Sequence, residues 1–494
     1  MTFDKDHVSR RWMLGAMLAG MSVPALADAP LTSIRPLRRG AVAKPDVPEA
    51  QALIEAAKLG GAIGFVVADA ATGRVLESSA PTTPMPPASV AKAMTALFAL
   101  EKLGSSFQFK TQVVATGPLI AGRVEGDLVL VGSGDPTLST DHFGDMVARL
   151  AARGVQSVAG RFLVYGGALP SIDQISADQP DYVGYNPAIG GLNLNFNRVN
   201  FEWKRVAGDY SVTMDARGER FMPFVDMARM KITARDTPLF TYERGEAVDR
   251  WTVASAALGH GGSRWMPVRH PAVYAGEVFR TLAAGQGVAL PLATVVADVP
   301  TGTLLVENRS DPLDAILRDM LKFSTNLTAE VLGLASSGAN GLAPSALAMS
   351  NWAKAAYAID AQYVDHSGLN GTSRISAGDM VRALVGARGN PNGAVLRSVL
   401  RDVGMRDAAG KVIEGHAVRV LAKSGTLNFV SGLAGYIAPP RGRELAFAIF
   451  AADTARRDKL AEAEREQPEG GEAWTKRARR LQGQLISRWA GAYG

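Results

Sequence analysis

Two side chains one helical turn apart can turn an inert hydroxyl into a nucleophile. Ser89-Val90-Ala91-Lys92 offers such a pair, with hydroxyl and amine at i and i+3 on one helix face. A serine attacks a carbonyl only when a neighbouring base takes its proton. Lys92 can be that base only as a neutral amine. Bringing a lysine from ~10.4 to ~7–8 costs roughly 3–5 kcal/mol, which burial and a second cation can supply. Lys423, in Lys423-Ser424-Gly425-Thr426, is the candidate second cation. Ser324-Thr325-Asn326 adds a hydroxyl and an amide. Ser324 suits a proton relay between Lys92 or Lys423 and a leaving amine. Asn326 suits holding Lys92 or a peptide carbonyl. Lys423, Ser424 and Thr426 supply a charge and hydroxyls for a terminal carboxylate. The backbone N–H groups of Ser89 and Thr426 would stabilise the oxyanion.

The positions of these residues ask for particular elements. Ser89 follows Pro86-Pro87-Ala88, a loop, and opens a helical pattern running to Leu103. A helix start favours developing negative charge. Ser324 falls between helical stretches within 311–335, with another helix over 342–358. Lys423 lies in the first strand of a hairpin, 417–426 and 430–438, followed by a strand over 443–452. Strands over 62–77, joined by an Ala-Thr-Gly turn, precede the first motif, and a short helix over 48–59 precedes them. A helix over 471–490 closes the chain. Between residues 105 and 305 the texture changes to short strands, such as 127–131 and 161–164, and Gly, Asn and Pro turns. The order predicts an α/β sandwich interrupted by a β-rich insertion. Residues 48–104 and 306–494 then form the catalytic domain, and 105–305 one or two inserted units.

Each of the three motifs occurs once in the chain, and they occur in the order S-x-x-K, S-x-N, K-[ST]-G. This set resembles that of the penicillin-binding proteins and class A β-lactamases. The chain is most similar in layout to the low-molecular-mass class C penicillin-binding proteins, from about residue 50 to its end. Residues 126–139, GDLVLVGSGDPTLS, and 191–197, GLNLNFN, resemble segments of that family's inserted region. Residues 309–330, ending MLKFSTNLTAE, resemble its second motif region, and 365–376, DHSGLNGTSRIS, its Asp-x-Ser-Gly-Leu segment. The first two motifs stand 324 − 89 = 235 residues apart, as a long insertion requires. Thr325 departs from the pattern, where Asp is common. The resemblance implies a transpeptidase-like fold, whose antiparallel sheet has helices on both faces, and a serine D-Ala-D-Ala carboxypeptidase or endopeptidase. It would act on peptidoglycan peptides through an acyl-enzyme on Ser89, be inhibited by β-lactams, and need no metal or cofactor. The alternatives are a serine β-lactamase and a non-catalytic wall-binding protein on the same fold.

Composition narrows the setting. The chain has 494 residues, 47% hydrophobic and 20% charged, with a formal charge of +6 and no cysteine. Disulfides, thiolate metal sites and a lipoprotein anchor are excluded. No dense Lys/Arg run suggests nucleic acid. Ser9-Arg10-Arg11, a short apolar stretch and Ala25-Leu26-Ala27 read as a signal peptide over 1–27, twin-arginine in type, followed by a linker over 28–47. Export to the periplasm follows. Membrane contact is at most peripheral. Trp474, Leu481, Leu485 and Trp489 form an apolar stripe that reads as core-facing, with a membrane-surface helix as the alternative. The six histidines show no metal spacing and read as surface or loop residues, and the glycines at 259–262 as a loop.

Overall fold

The structure is a computed structural model that describes residues 49–407, 410–461 and 464–494. The expected signal peptide and linker lie outside the described residues.

The motif Lys423–Thr426 lies on a five-stranded antiparallel sheet. Its strands run, edge to edge, Arg419–Leu427, Val430–Ala438, Leu445–Ala452, Ala62–Asp69 and Val75–Ser79. The strand LAFAIFAA over Leu445–Ala452 is buried at every residue. Such an uninterrupted apolar run suits a strand covered on both faces. Alternate side chains go to opposite faces of a strand. Val66, Ala68, Ala446, Ala448 and Phe450 therefore pack with Met94, Leu97 and Leu332 of the helices on one side. Phe65, Val67, Phe447 and Ile449 pack with Trp474, Leu481, Leu485 and Trp489 on the other. Two helices form the first wall beside the site. Ala91–Leu103 has every residue from Ala91 to Leu100 buried, and Asn326–Ser337 packs beside it.

The closing helix, Gly471–Tyr493, buries the stripe read from the sequence. The Trp474 indole N–H donates to the Leu59 carbonyl at 2.7 Å, and that of Trp489 to Glu77 at 3.0 Å. That apolar face is core, so the membrane-surface alternative for it is set aside. No helix among the described residues is long and apolar enough to cross a membrane.

The region between builds sheets of its own. A mixed five-stranded sheet runs Ala293–Val296, Phe162–Tyr165, Leu128–Gly132, Lys110–Ala115 and Thr303–Arg309. Its last strand runs past residue 305. Two three-stranded sheets lie between residues 198 and 267. Two helices here, Thr140–Ala152 and Pro271–Gly285, were not read from the sequence. Both carry start signals: a Ser139 capping box and a proline in the first turn. Of the glycines read as a loop at 259–262, Gly259 does lie in a turn, but Gly261 and Gly262 begin a strand, Gly261–Pro267, paired with Arg198–Val206. A tight turn at 258–260 comes before it.

Replacing Trp474 with Ala removes a fully buried indole and its hydrogen bond. Urea unfolding should show a loss of about 3–5 kcal/mol, as for large-to-small changes in a core. A loss under about 1 kcal/mol, the scale of a surface change, would mean this helix is not part of the core.

Candidate active site

The nucleophile's position is set by backbone packing. Ala88–Val90 forms a 3₁₀ turn that leads into the helix Ala91–Leu103. Ala88 adopts a left-handed φ of 47°, a costly conformation for a residue with a Cβ. Two glycines let other segments approach this turn. A Cβ at Gly425 would sit 2.7 Å from the Pro87 carbonyl oxygen and 2.8 Å from the Ser89 nitrogen. A Cβ on Gly368, at φ +72°, would run into the Ala88 carbonyl. Ser89 is left half-buried at the cleft floor.

Behind it, Lys92 is wholly buried. Its Nζ lies 3.0 Å from Ser89 Oγ, 2.8 Å from Asn326 Oδ1 and 2.8 Å from the Ser367 carbonyl oxygen. An amide oxygen and a carbonyl can only accept hydrogen bonds, whereas a hydroxyl can also donate. A neutral amine has two N–H groups and one lone pair. As an ammonium Lys92 donates to all three oxygens; as a neutral amine it would donate to Asn326 and Ser367 and accept from the Ser89 O–H. Burial, and then the charge of Lys423, hold the Lys92 ammonium well below the usual lysine range, against the pull of Asp365 and Glu330.

Three buried groups support this amine and were not singled out from the sequence. Glu330 accepts the backbone N–H groups of His366 at 3.0 Å and Ser367 at 2.8 Å, one on each oxygen. It thereby fixes the peptide whose carbonyl meets Lys92. Asp365 accepts the N–H groups of Gly368 and Asn370 at 2.9 and 2.7 Å, which shapes the turn. Burial raises the pKa of both carboxyls, and the charge of Asp365 adds to the rise at Glu330. His366 corrects the reading of the histidines as surface or loop residues: it is fully buried. Its Nε2 meets Ser345 Oγ at 2.7 Å, and its carbonyl accepts Thr95 O–H at 2.6 Å. The ring fits because Gly333 leaves it room. Burial lowers its pKa to about 3, so it is neutral. Glu330 sits four residues after Asn326, one helical turn on, which is the signal that could have found it.

The opposite wall carries the remaining hydroxyls and the second cation. The helix Leu313–Phe323 ends on Ser324, which takes a left-handed φ of 59°. That bend turns the chain into the next helix and sets Ser324 Oγ 3.0 Å from Lys423 Nζ. Lys423 also donates to the Ser424 carbonyl at 2.8 Å. Burial, with a contribution from Arg401, lowers its pKa to about 8. Asn326 Nδ2 donates to the Tyr185 carbonyl at 3.0 Å, leaving its Oδ1 aimed at Lys92. Ser424 and Thr426 are exposed on the edge strand, and Gly425 between them turns inward. An edge strand keeps half of its N–H and C=O groups free for an extended peptide.

All eight residues picked from the sequence meet here. Ser89, Ser324, Asn326 and Thr426 line a cleft of about 980 Å³. Ser89, Ser324, Lys423, Ser424 and Thr426 line an adjoining cavity of about 220 Å³. Lys92 and Gly425 act from beneath. The arrangement can activate a serine, move its proton and hold an anion beside it. Among the described residues no group of His, Asp and Glu side chains could hold a metal ion.

Known proteins share this sequence and shape. The family described as D-Ala-D-Ala carboxypeptidase 3 (S13) matches residues 49–475. A D-alanyl-D-alanine carboxypeptidase of Actinomadura sp. (strain R39) is 32% identical, over 88% of this chain and 84% of that one. A D-alanyl-D-alanine carboxypeptidase of Haemophilus influenzae is 22% identical, over 79% of this chain and 85% of that one. The crystal structure of penicillin binding protein 4 from Haemophilus influenzae superposes with a TM-score of 0.72 at 19% identity, covering 89% of this chain and all of that one. The fold is therefore of the penicillin-binding type.

The two lysines should give a bell-shaped pH dependence for acylation of Ser89. The rate rises as Lys92 loses its proton, well below the usual lysine range. It falls again through about pH 8, where Lys423 loses the charge that holds an anionic reagent. In Lys423→Arg the guanidinium stays charged, so the fall near pH 8 should vanish. Acylation rates measured from pH 5 upward would check this, and a high-pH limb that does not move would remove Lys423 as its source.

Proposed function

Because the chain belongs to the D-Ala-D-Ala carboxypeptidase 3 (S13) family, we propose that Ser89 is its acylated nucleophile and Lys92 the general base. The protein is a serine-type D-Ala-D-Ala carboxypeptidase, a low-molecular-mass class C penicillin-binding protein that acts on peptidoglycan peptides and binds β-lactams. The observation that carries the residue roles is the contact set of Lys92: two obligate acceptors and the Ser89 hydroxyl.

The chemistry follows from that set. Lys92 takes the Ser89 proton as Oγ attacks the carbonyl carbon of the penultimate D-Ala. The N–H groups of Ser89 and Thr426 receive the oxyanion. The C–N bond then breaks, and the proton reaches the leaving amine through Ser324, which Lys423 orients. Lys423, Ser424 and Thr426 hold the carboxylate of the departing residue. Asn326 steadies both Lys92 and the acyl chain. Water adds to the ester, again with Lys92 as base, and hydrolysis restores Ser89.

Other parts of the reading extend this one. Residues 105–305 act as an insertion beside a catalytic domain formed by 48–104 and 306–494; the separate sheets of the inserted region support that division. Export to the periplasm, through a twin-arginine type of signal cleaved after Ala27, rests on residues 9–27. Endopeptidase action on cross-links accompanies the carboxypeptidase action.

A fluorescent penicillin should label the protein once and stably. Intact-mass and peptide mapping should place the adduct on Ser89. An adduct on Ser324 would sink the assignment, rapid loss of label would mean a β-lactamase, and no label a binding module. Lys92→Ala should slow acylation by ~10²–10⁴-fold, the scale of general-base catalysis. Lys423→Ala should cost less and act partly through affinity. Equal losses would mean that the two lysine roles are wrongly divided.

A further inference from the structure

The inserted region reaches the active site through one long loop. Residues 166–193 hold no helix or strand, apart from a single bridge between Ile172 and Ile189. A loop of that length inside a packed protein needs side chains to satisfy and shape its backbone. Two buried side chains do this. Asn186 closes the loop on itself. Its Oδ1 accepts the N–H groups of Ile175 and Ser176, each at 2.9 Å, and its Nδ2 donates to the Ser176 carbonyl at 2.8 Å. Arg269, just after the strand Gly261–Pro267, gathers the loop from outside. Its Nη1 donates to the carbonyls of Asp173 and Asn186 at 2.7 and 2.9 Å, and its Nη2 to that of Asp181 at 2.7 Å. The planar guanidinium fixes the directions of its N–H groups, so the three carbonyls are fixed relative to one another.

Arg269 is itself braced on a sheet of the inserted region. Its backbone N–H donates to Asp249 Oδ2 at 2.8 Å, and Asp249 Oδ1 accepts the Tyr242 O–H at 2.8 Å. Asp249 is wholly buried, and the two residues lie on paired strands, Asp249–Ala254 and Phe240–Arg244. The loop's other contact is with the catalytic domain. The Asn186 carbonyl goes to Arg269, while the carbonyl one residue earlier, that of Tyr185, accepts Asn326 Nδ2–H at 3.0 Å. The two ends of an amide side chain have nearly the same shape, and only their partners decide which way it faces. The Tyr185 carbonyl can only accept, so it takes the nitrogen end and leaves Oδ1 on Lys92 at 2.8 Å. With that carbonyl displaced, the amide is free to turn over. Nδ2–H would then donate to the lone pair of a neutral Lys92, the lone pair that must take the Ser89 proton.

We propose that Arg269 is a positioning residue for the acylation of Ser89: by gathering three carbonyls of residues 173–186 it holds the Tyr185 carbonyl against Asn326, and so keeps the amide oxygen on Lys92. This rests on the reading of Lys92 as the general base. The inserted region then governs the chemistry at Ser89, although Arg269 touches no reacting atom.

The test is a double-mutant cycle on the full chain, read as the rate at which penicillin acylates Ser89. Arg269→Gln should lower the maximal acylation rate roughly 10-fold, the scale of one hydrogen bond, with the half-saturating penicillin concentration little changed. In an Asn326→Ala background the same change should cost nothing further, because the amide it orients is gone. Arg269→Lys keeps a cation with three N–H donors and should recover part of the rate. A role in the fold alone would lower the urea midpoint and slow both backgrounds alike. An unchanged rate in a folded Arg269→Gln overturns the proposal. So does an equal loss with and without Asn326. If Arg269→Gln shows no cooperative unfolding, Arg269→Lys carries the cycle; if neither folds, Arg269 serves the fold alone and the proposal falls. Asn326→Ala by itself separates the two readings. If it is acylated as fast as the unaltered protein, the reading of Lys92 and Asn326 fails; if it is slow while Arg269→Gln is fast, only the anchor fails.

Discussion

The Lys92 amine is wholly buried inside the helical layer, and three oxygens surround it. Two of them, Asn326 Oδ1 and the Ser367 carbonyl, can only accept. The third belongs to Ser89 and can turn either way. An ammonium would use all three as acceptors and leave the Ser89 proton directed elsewhere. A neutral amine takes that proton's hydrogen bond and stands ready to take the proton itself. Burial and Lys423 push toward the neutral form, while Asp365 and Glu330 pull back. A general base works best when its pKa lies near the working pH, so neither push should win outright. The two buried carboxylates, each tied to backbone N–H groups, keep Lys92 from becoming too weak a base.

Much of the surrounding structure keeps those three oxygens in place. Glu330 clamps the peptide that presents the Ser367 carbonyl. The Tyr185 carbonyl accepts one Asn326 Nδ2–H, which orients Oδ1 toward the lysine. Gly368 and Gly425 let a turn and an edge strand close on Ala88 and Ser89 at distances a side chain would forbid. The left-handed residues Ala88 and Ser324 sit at the two hydroxyl-bearing bends of the site. Local strain of that kind persists only where packing over-determines the backbone. Here the packing is the helix Ala91–Leu103, buried from Ala91 to Leu100 between the sheet and its neighbours.

The parts legible in the sequence were those whose residue type carries chemistry at a fixed spacing. Ser89 with Lys92, Ser324 with Asn326, and Lys423 through Thr426 could be assigned roles before any contact was known. The strands of the main sheet were legible too, because short apolar runs between turns have few other readings. Glu330, Asp365 and His366 were not, since their roles depend on burial that neighbouring residues do not encode. His366 looks like any loop histidine until Gly333 is seen to make room for its ring. The helices Thr140–Ala152 and Pro271–Gly285 were lost among strands and turns although Ser139 and Pro271 mark their starts. Whole-chain charge hid the local pattern: +6 over 494 residues reveals nothing of a cavity where Arg406, Lys476, Arg477, Arg479 and Arg480 gather around Gly410.

The cations beside Ser89 and the buried amine are coupled. Lys423 depresses Lys92 by its charge, and Arg401 depresses Lys423 in the same way. In the empty site these cations favour a neutral but weak base. A carboxylate seated against Lys423, Ser424 and Thr426 cancels part of that positive potential. Lys92 then holds a proton more tightly, so it draws the Ser89 proton more strongly once the substrate's anion is in place. The same anion restores Lys423 to its charged form by raising its pKa from about 8. On the roles proposed for Ser89, Lys92 and Lys423, substrate binding would strengthen the base and fix the cation together, tying reactivity at Ser89 to a free carboxylate on the leaving side. Such coupling needs no moving part. It needs only that the two lysines share one poorly solvated site, where charges act on each other more strongly than in water.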